Sequence, residues 1–255
     1  MKTVINDELL ADAAERLGRV RERIQKACDR AHREPSEITL VGACKRQPPE
    51  RIAASLFAGL TELGENYVQE ALSTQAQLPA FLEEAANGGP LPPPRWHMIG
   101  HLQRNKASLA VDAFEVVDSV DSLRLMKALH QKAEQAHRIL DIGIQVNLSG
   151  EISKSGVGPE GLPDLIASAA DLGHIRIVGL MTMPAPDAES ARRDFARLRD
   201  LRDMLRNEKG GEALGGLNMG MSGDLEIAIE CGATVVRIGT DLFGERPAPG
   251  SSHED

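Results

Sequence analysis

A lysine closes the apolar run Val41-Gly-Ala-Cys-Lys45. Burying an ammonium is costly, so a lysine at the end of a buried strand either loses basicity or snorkels to the rim. With its basicity lowered it is a nucleophilic amine, suited to a Schiff base with a carbonyl compound. A second signal lies near the C-terminus, where Met219-Gly-Met-Ser-Gly223 precedes Asp224 and Glu226, and Arg237-Ile-Gly-Thr240 follows. Glycines admit close approach of a ligand, amides at a helix start donate to anions, and Ser222 and Thr240 add hydroxyls. Together with Gly239 this suits a phosphate group; ordinary Gly-Ser helix capping is the plainer reading. Arg237 stands between Val236 and Ile238. A guanidinium there cannot discharge itself, so it needs either a structural carboxylate or an acceptor on a bound ligand, such as a ring nitrogen.

The elements that position these residues follow from apolar periodicity. Leu9, Leu10, Ala13, Leu17, Val20, Ile24 and Ala27 recur at helical spacing, which predicts a helix over Asp7–Ala31 before Glu34-Pro35-Ser36. Apolar runs then alternate with helical segments. Strands are expected at 38–44, 61–64, 96–99, 114–117, 139–146, 175–181, 216–219 and 234–238, with a Gly/Pro-rich loop over Asn87–Pro94 before the third. Continuous rather than alternating apolar runs mark buried parallel strands. Eight strand–helix units in 255 residues, with no G-x-G-x-x-G after the first strand, favour a closed (β/α)8 TIM barrel over an open doubly wound sheet. The expected architecture is one barrel domain over residues 1–255 with an extra N-terminal helix. Barrels of this kind place their chemistry at the C-terminal strand ends and bind phosphate after strands seven and eight, where Lys45 and the two glycine motifs fall.

Composition narrows the function. Hydrophobic residues make up 42% and charged residues 26%, which supports a large core. Aromatics are 3%, so stacking platforms for single-stranded nucleic acid are not expected. A net charge of −9 disfavours nucleic acid and anionic membranes as partners while leaving room for a small anion at a local site. The three cysteines, Cys28, Cys44 and Cys231, have neither metal nor disulfide spacing and point to a reducing cytoplasm. No apolar run reaches the length of a membrane span, and no signal peptide is expected in the acidic first 20 residues. His97 and His101 lack ligand spacing and read as packed or rim histidines, so no metal site is expected. Asn66 alone reads as a helix cap, Lys154 as a solvated loop lysine, and the arginines of 192–206 as a solvated helix face.

A Schiff-base lysine, a phosphate site and an interior arginine suggest pyridoxal 5′-phosphate. The sequence also resembles the YggS/PROSC family of pyridoxal phosphate homeostasis proteins along nearly its whole length. The resemblance is carried by Leu40–Lys45, Gly64–Glu70, Trp96–Gln103, Asp118–Leu123, Gln145–Gly150 with Ser153–Gly156, Gly179–Pro184, Met219–Ser222 and Val236–Thr240. It implies a fold-type III barrel like the N-terminal domain of alanine racemase, with the cofactor on Lys45. It further implies phosphate contacts at Ser222, Gly239 and Thr240, Arg237 facing the pyridine nitrogen, and Asn66 and Met219 beside the cofactor. Two positions depart from the family pattern: Cys44 where a serine is expected, and Ile152 where glutamate is common. Strand alternation turns Cys44 away from the Lys45 face.

Three readings compete. The first is a carrier that buffers or delivers the cofactor to PLP-dependent apo-enzymes, acting as a monomer without catalysis of its own. The second is an amino-acid racemase, and the third a Schiff-base aldolase. A racemase of this fold type needs two bases on opposite faces; in alanine racemase the second is a tyrosine from the partner subunit, whose C-terminal β-domain completes the site. Here no such domain is expected after Gly244, and the single tyrosine, Tyr67, sits at a helix start beside Asn66. Arg237 at the pyridine nitrogen would weaken the electron sink. The aldolase reading leaves Arg237 unexplained. The carrier reading is therefore the expectation.

Overall fold

The computed structural model describes residues 5–84, 91–150, 155–185 and 187–246. The chain starts with α1 (Asp7–Ala31), capped by Asn6, whose side chain accepts from the Leu9 N–H, and ended by His32 in the left-handed region at φ 53°. Then strands and helices alternate: β1 (Thr39–Ala43), α2 (Pro49–Phe57), β2 (Glu62–Glu65), α3 (Val68–Glu84), β3 (Arg95–Met98), α4 (Ala107–Ala113), β4 (Val116–Val120) and α5 (Leu123–Gln135). The series continues with β5 (Leu140–Gln145), α6 (Leu162–Ala169), β6 (Ile175–Met181), α7 (Ala188–Leu205), β7 (Gly216–Asn218), α8 (Leu225–Glu230), β8 (Val235–Ile238) and α9 (Thr240–Phe243).

The strands are parallel and close into a barrel in sequence order. Closure joins β1 to β8, with Thr39 opposite Val235 and Val41 opposite Arg237. The expected (β/α)8 barrel with its extra helix is thus the observed fold. Apolar residues fill the layer between strands and helices, among them Leu63, Phe114, Ile142, Phe195, Leu217, Val236 and Ile238. The additional helix α1 buries Ala13, Leu17, Val20, Ile24, Ala27 and Cys28. Basic side chains at its C-terminal end anchor it beside α8: Arg30 pairs with Glu230, and Arg33, just past the helix, donates to the carbonyls of Ile229 and Ala233.

Most strand ends lie within a residue of expectation, and two differences bear on the site. The fourth strand runs Val116–Val120 rather than 114–117, and Phe114 instead closes α4 through its N–H to the Ala110 carbonyl. Asp118 and Ser119 look like loop residues in sequence, yet both are paired inside the fold, Ser119 through a 2.6 Å bond to the Gly100 carbonyl. The first strand stops at Ala43, so Lys45 lies past the strand end instead of closing it. Lys154, Ile152, the polar tail 247–255 and part of the Asn87–Pro94 loop lie outside the described residues.

Candidate functional site at the barrel mouth

Lys45 is delivered by a tight turn. The Cys44 carbonyl accepts from the Gln47 N–H at 2.9 Å, and Arg46 takes φ 56°. A non-glycine residue in that region costs about 1–2 kcal/mol, a strain located beside the candidate nucleophile. Lys45 is half-buried, and its Nζ lies 5.0 Å from the centroid of the Tyr67 ring. Among the described residues it has no ion pair. Tyr67 and Asn66 follow β2, and Asn66 lines a cavity of about 340 Å³ together with His101, Gln145, Asn147 and Met183.

The two glycine motifs sit next to Lys45 because β7, β8 and β1 are consecutive in the closed barrel. Gly220 has φ 98°, and a Cβ there would lie 2.5 Å from the Ala228 Cβ, so this turn admits only glycine. The Gly220 carbonyl accepts from the Arg237 N–H at 2.9 Å, and Asp224 Oδ1 accepts from the Met221 N–H at 2.6 Å. These bonds fix the segment that carries Ser222, which is half-buried. After β8, Gly239 packs against the end of β1, where a Cβ would come within 3.2 Å of the Ala43 carbonyl oxygen. Thr240 is exposed beside it. Met219, directly after β7, is completely buried in the same apolar cluster as Leu225 and Ala228.

Arg237 is 4% exposed and points into the barrel. Its Nη1 donates to the Asn218 carbonyl at 3.0 Å and to the Asn218 side-chain oxygen. Its Nη2 donates to the Thr182 carbonyl at 3.1 Å and contacts Met183 Sδ at 3.2 Å. The structural carboxylate considered for it is present only at longer range. Burial pushes the guanidinium down to about 10, against the pull of Asp118 and Asp224. Asp118 belongs to β4, opposite β8, so the two charges feel each other across the barrel interior.

Below the mouth lies a buried chain that the sequence reading missed. His97 Nδ1 is 2.7 Å from Asp118 Oδ2, and its Nε2 is 2.7 Å from Glu62 Oε2. Burial opposes the imidazolium, but Asp118 and Glu62 outweigh it and push its pKa up to about 9. Burial likewise opposes the Asp118 carboxylate, and His97, Asn218 and Arg237 together hold it below its usual range. The clue in sequence is the polar residues Glu62, His97, Asp118, Asn218 and Arg237, one from each of five strands, that break into the apolar runs. A second cluster lies on the outer side of the strand ends. The Cys44 Sγ faces the Gly64 carbonyl at 3.3 Å and Glu65 Oε1 at 3.5 Å. Burial, followed by the charge of Glu70, raises Glu65 to about 7. Cys44 thus faces away from the mouth. His101 is on the rim, with Nδ1 3.4 Å from Asp121 Oδ2.

An amine, glycine-lined hydroxyl loops and an interior guanidinium on one barrel face are the parts anticipated for a phosphorylated aldehyde. The family described as alanine racemase, N-terminal domain, matches residues 16–247. A relative from Aquifex aeolicus, named pyridoxal phosphate homeostasis protein, is 43% identical over 237 residues, covering 92% of this chain and 99% of that protein. The chain belongs to the pyridoxal phosphate homeostasis protein family. A second member of that family, from Pseudomonas aeruginosa, is 41% identical over 239 residues, covering 93% of this chain and 97% of its own length. Solved structures are similar to this chain as well. PipY of Synechococcus elongatus, determined with PLP bound, is 32% identical with a TM-score of 0.78, covering 91% of this chain and all of that one (100%). Alanine racemase from Corynebacterium glutamicum shares the fold at 18% identity and a TM-score of 0.65, over 96% of this chain and 64% of the racemase.

Proposed function

We propose that the protein binds pyridoxal 5′-phosphate at the barrel mouth and serves cofactor homeostasis, holding the cofactor or releasing it to apo-enzymes without a reaction of its own. The observation that carries this reading is the convergence of Lys45 with the Ser222 and Gly239–Thr240 loops, in a chain 32% identical to a protein solved with PLP. When bound, the cofactor supplies an aldehyde that condenses with an amine and expels water. Lys45 is the residue assigned to hold it, because its Nζ is free of ion pairs among the described residues and stands at the mouth over Tyr67. Ser222, Gly239 and Thr240 are assigned to the phosphate. Gly220 and Gly239 support the fit, since a side chain at either would strike Ala228 or close the gap against Ala43.

Arg237 is assigned to the ring nitrogen. Its contact to Met183 Sδ uses a weak acceptor, so that N–H is the one most cheaply transferred to a pyridine nitrogen. A guanidinium donor there keeps the ring nitrogen unprotonated and the electron sink weak, which favours holding over carbanion chemistry. Asn66, beside Tyr67, is assigned to the cofactor's flank. Met219, directly after β7 and buried, is likewise assigned to a place beside the cofactor. The barrel is proposed to act as one domain and as a monomer. Three free, buried cysteines support a reducing cytoplasm as its compartment. Among the described residues, no helix is long and apolar enough to cross a membrane.

Borohydride reduction of the cofactor-loaded protein followed by peptide mapping tests the central assignment. The pyridoxyl mass is expected on the peptide containing Lys45, and Lys45→Ala should remove it. Label confined to Lys154 would overturn the assignment.

A further inference from the structure

Arg23 lies on α1, the helix additional to the eight strand–helix units, and its guanidinium makes four short contacts. Nε and Nη2 grip the Glu226 carboxylate at 2.8 and 2.9 Å. Nη1 reaches Asp241 Oδ2 at 2.6 Å, and Nη2 also donates to the Ser222 carbonyl at 2.8 Å. Glu226 is in the first turn of α8, directly after the loop that carries Ser222. Asp241 follows Thr240. A single side chain from outside the barrel repeat therefore joins the loop after β7 to the loop after β8.

Among the described residues, the backbone does not join them at that height. The ladder between β7 and β8 is short, with Asn218 opposite Val235, and the last backbone bond between the two segments runs from the Arg237 N–H to the Gly220 carbonyl. Among the described residues, no backbone hydrogen bond links 221–224 to 239–241. Hydroxyls and amides bind a phosphate tightly only if they are already aimed at it, because ordering loops during binding costs affinity. The pair is firmly ionised: the hydrogen bond from Arg23 outweighs burial and holds the Glu226 carboxyl below its usual range.

We propose that Arg23 is a positioning residue for phosphate binding, holding the Ser222 and Thr240 loops at the separation a phosphate requires. The inference rests on the assignment of those loops to the cofactor phosphate. It also gives α1 a role in the site, where Arg19, Val20 and Arg23 line a cavity together with Thr240 and Asp241. Arginine is required because the contact is a fork onto Glu226 plus two further donations, a geometry that a lysine ammonium cannot span.

The test uses the full chain with Arg23→Ala and Arg23→Lys. Dissociation constants are measured for pyridoxal 5′-phosphate and for unphosphorylated pyridoxal, alongside thermal unfolding without ligand. Arg23→Ala should weaken the phosphorylated ligand about tenfold or more and leave pyridoxal within about twofold. Arg23→Lys, which keeps the charge, should recover little of that preference. A general loss of fold would weaken both ligands alike, so the ratio of the two constants isolates positioning; if Arg23→Ala does not fold, Arg23→Lys carries the same measurement. An unchanged ratio in Arg23→Ala, an equal loss for both ligands, or full recovery in Arg23→Lys would each overturn the proposal. A wild-type protein that fails to prefer the phosphorylated ligand would instead overturn the phosphate site on which it rests.

Discussion

His97 Nδ1 and Asp118 Oδ2 meet at 2.7 Å inside the barrel, and neither residue is more than 5% exposed. The imidazole also holds Glu62, and the carboxylates raise its pKa to about 9 despite the opposing effect of burial. In the unfolded chain a histidine titrates near pH 6.5. Protonated His97 therefore favours the folded state. Its contribution is complete below about pH 6.5 and is lost as pH rises through about 9. The melting temperature of the ligand-free protein should fall across that window, and His97→Gln should flatten this part of the profile. An unchanged slope in the variant would assign the pH dependence to another group. Asp118, held below its ordinary range, acts at the other end: its contribution is present above about pH 4 and is lost as pH falls.

The phosphate assignment is checked at the hydroxyls. Removing one hydrogen bond to an ionised phosphate costs about 1.5–3 kcal/mol, a tenfold or larger loss of affinity. Ser222→Ala and Thr240→Val should weaken pyridoxal 5′-phosphate by that much and leave pyridoxal nearly unaffected. Equal losses for both ligands would show that the two residues support the fold rather than the ligand.

Absence of racemisation is expected from the position of Tyr67. This residue is the sole tyrosine of the sequence, and its ring packs against the lysine itself, 5.0 Å from Lys45 Nζ. Incubation of the cofactor-loaded protein with L-amino acids in deuterated water should give no rapid α-proton exchange. Exchange with enantiomer formation at about 1 s⁻¹ or faster, within the range of enzymes, would replace the carrier reading with a racemase.

Much of this protein is legible in its sequence because the signals are local. A continuous apolar run reads as a buried parallel strand wherever it sits, so the succession of eight units and the helix Asp7–Ala31 followed from periodicity. Lys45, Ser222, Gly239 and Thr240 stood out because lysine, glycine and hydroxyl residues were placed where barrel strands end. The resemblance in Met219–Ser222 and Val236–Thr240 added residue roles that spacing alone left open. Local signals also misled where a pairing was needed. Asp118 and Ser119 read as loop because an isolated polar residue is costly in a strand, and only His97 and Gly100 make that position favourable.

What tertiary structure alone decided are the contacts between residues far apart in sequence. Glu62, His97, Asp118, Asn218 and Arg237 come from five strands, and they become one network only when the barrel closes and their side chains share its interior. Arg23 is separated from Glu226 by 203 positions and from Asp241 by 218, and on its own helix it is one arginine among several. Sequence fixes which residue is charged. Which partner neutralises it depends on a distance of a few ångströms between elements, set by how the helices pack around the closed barrel.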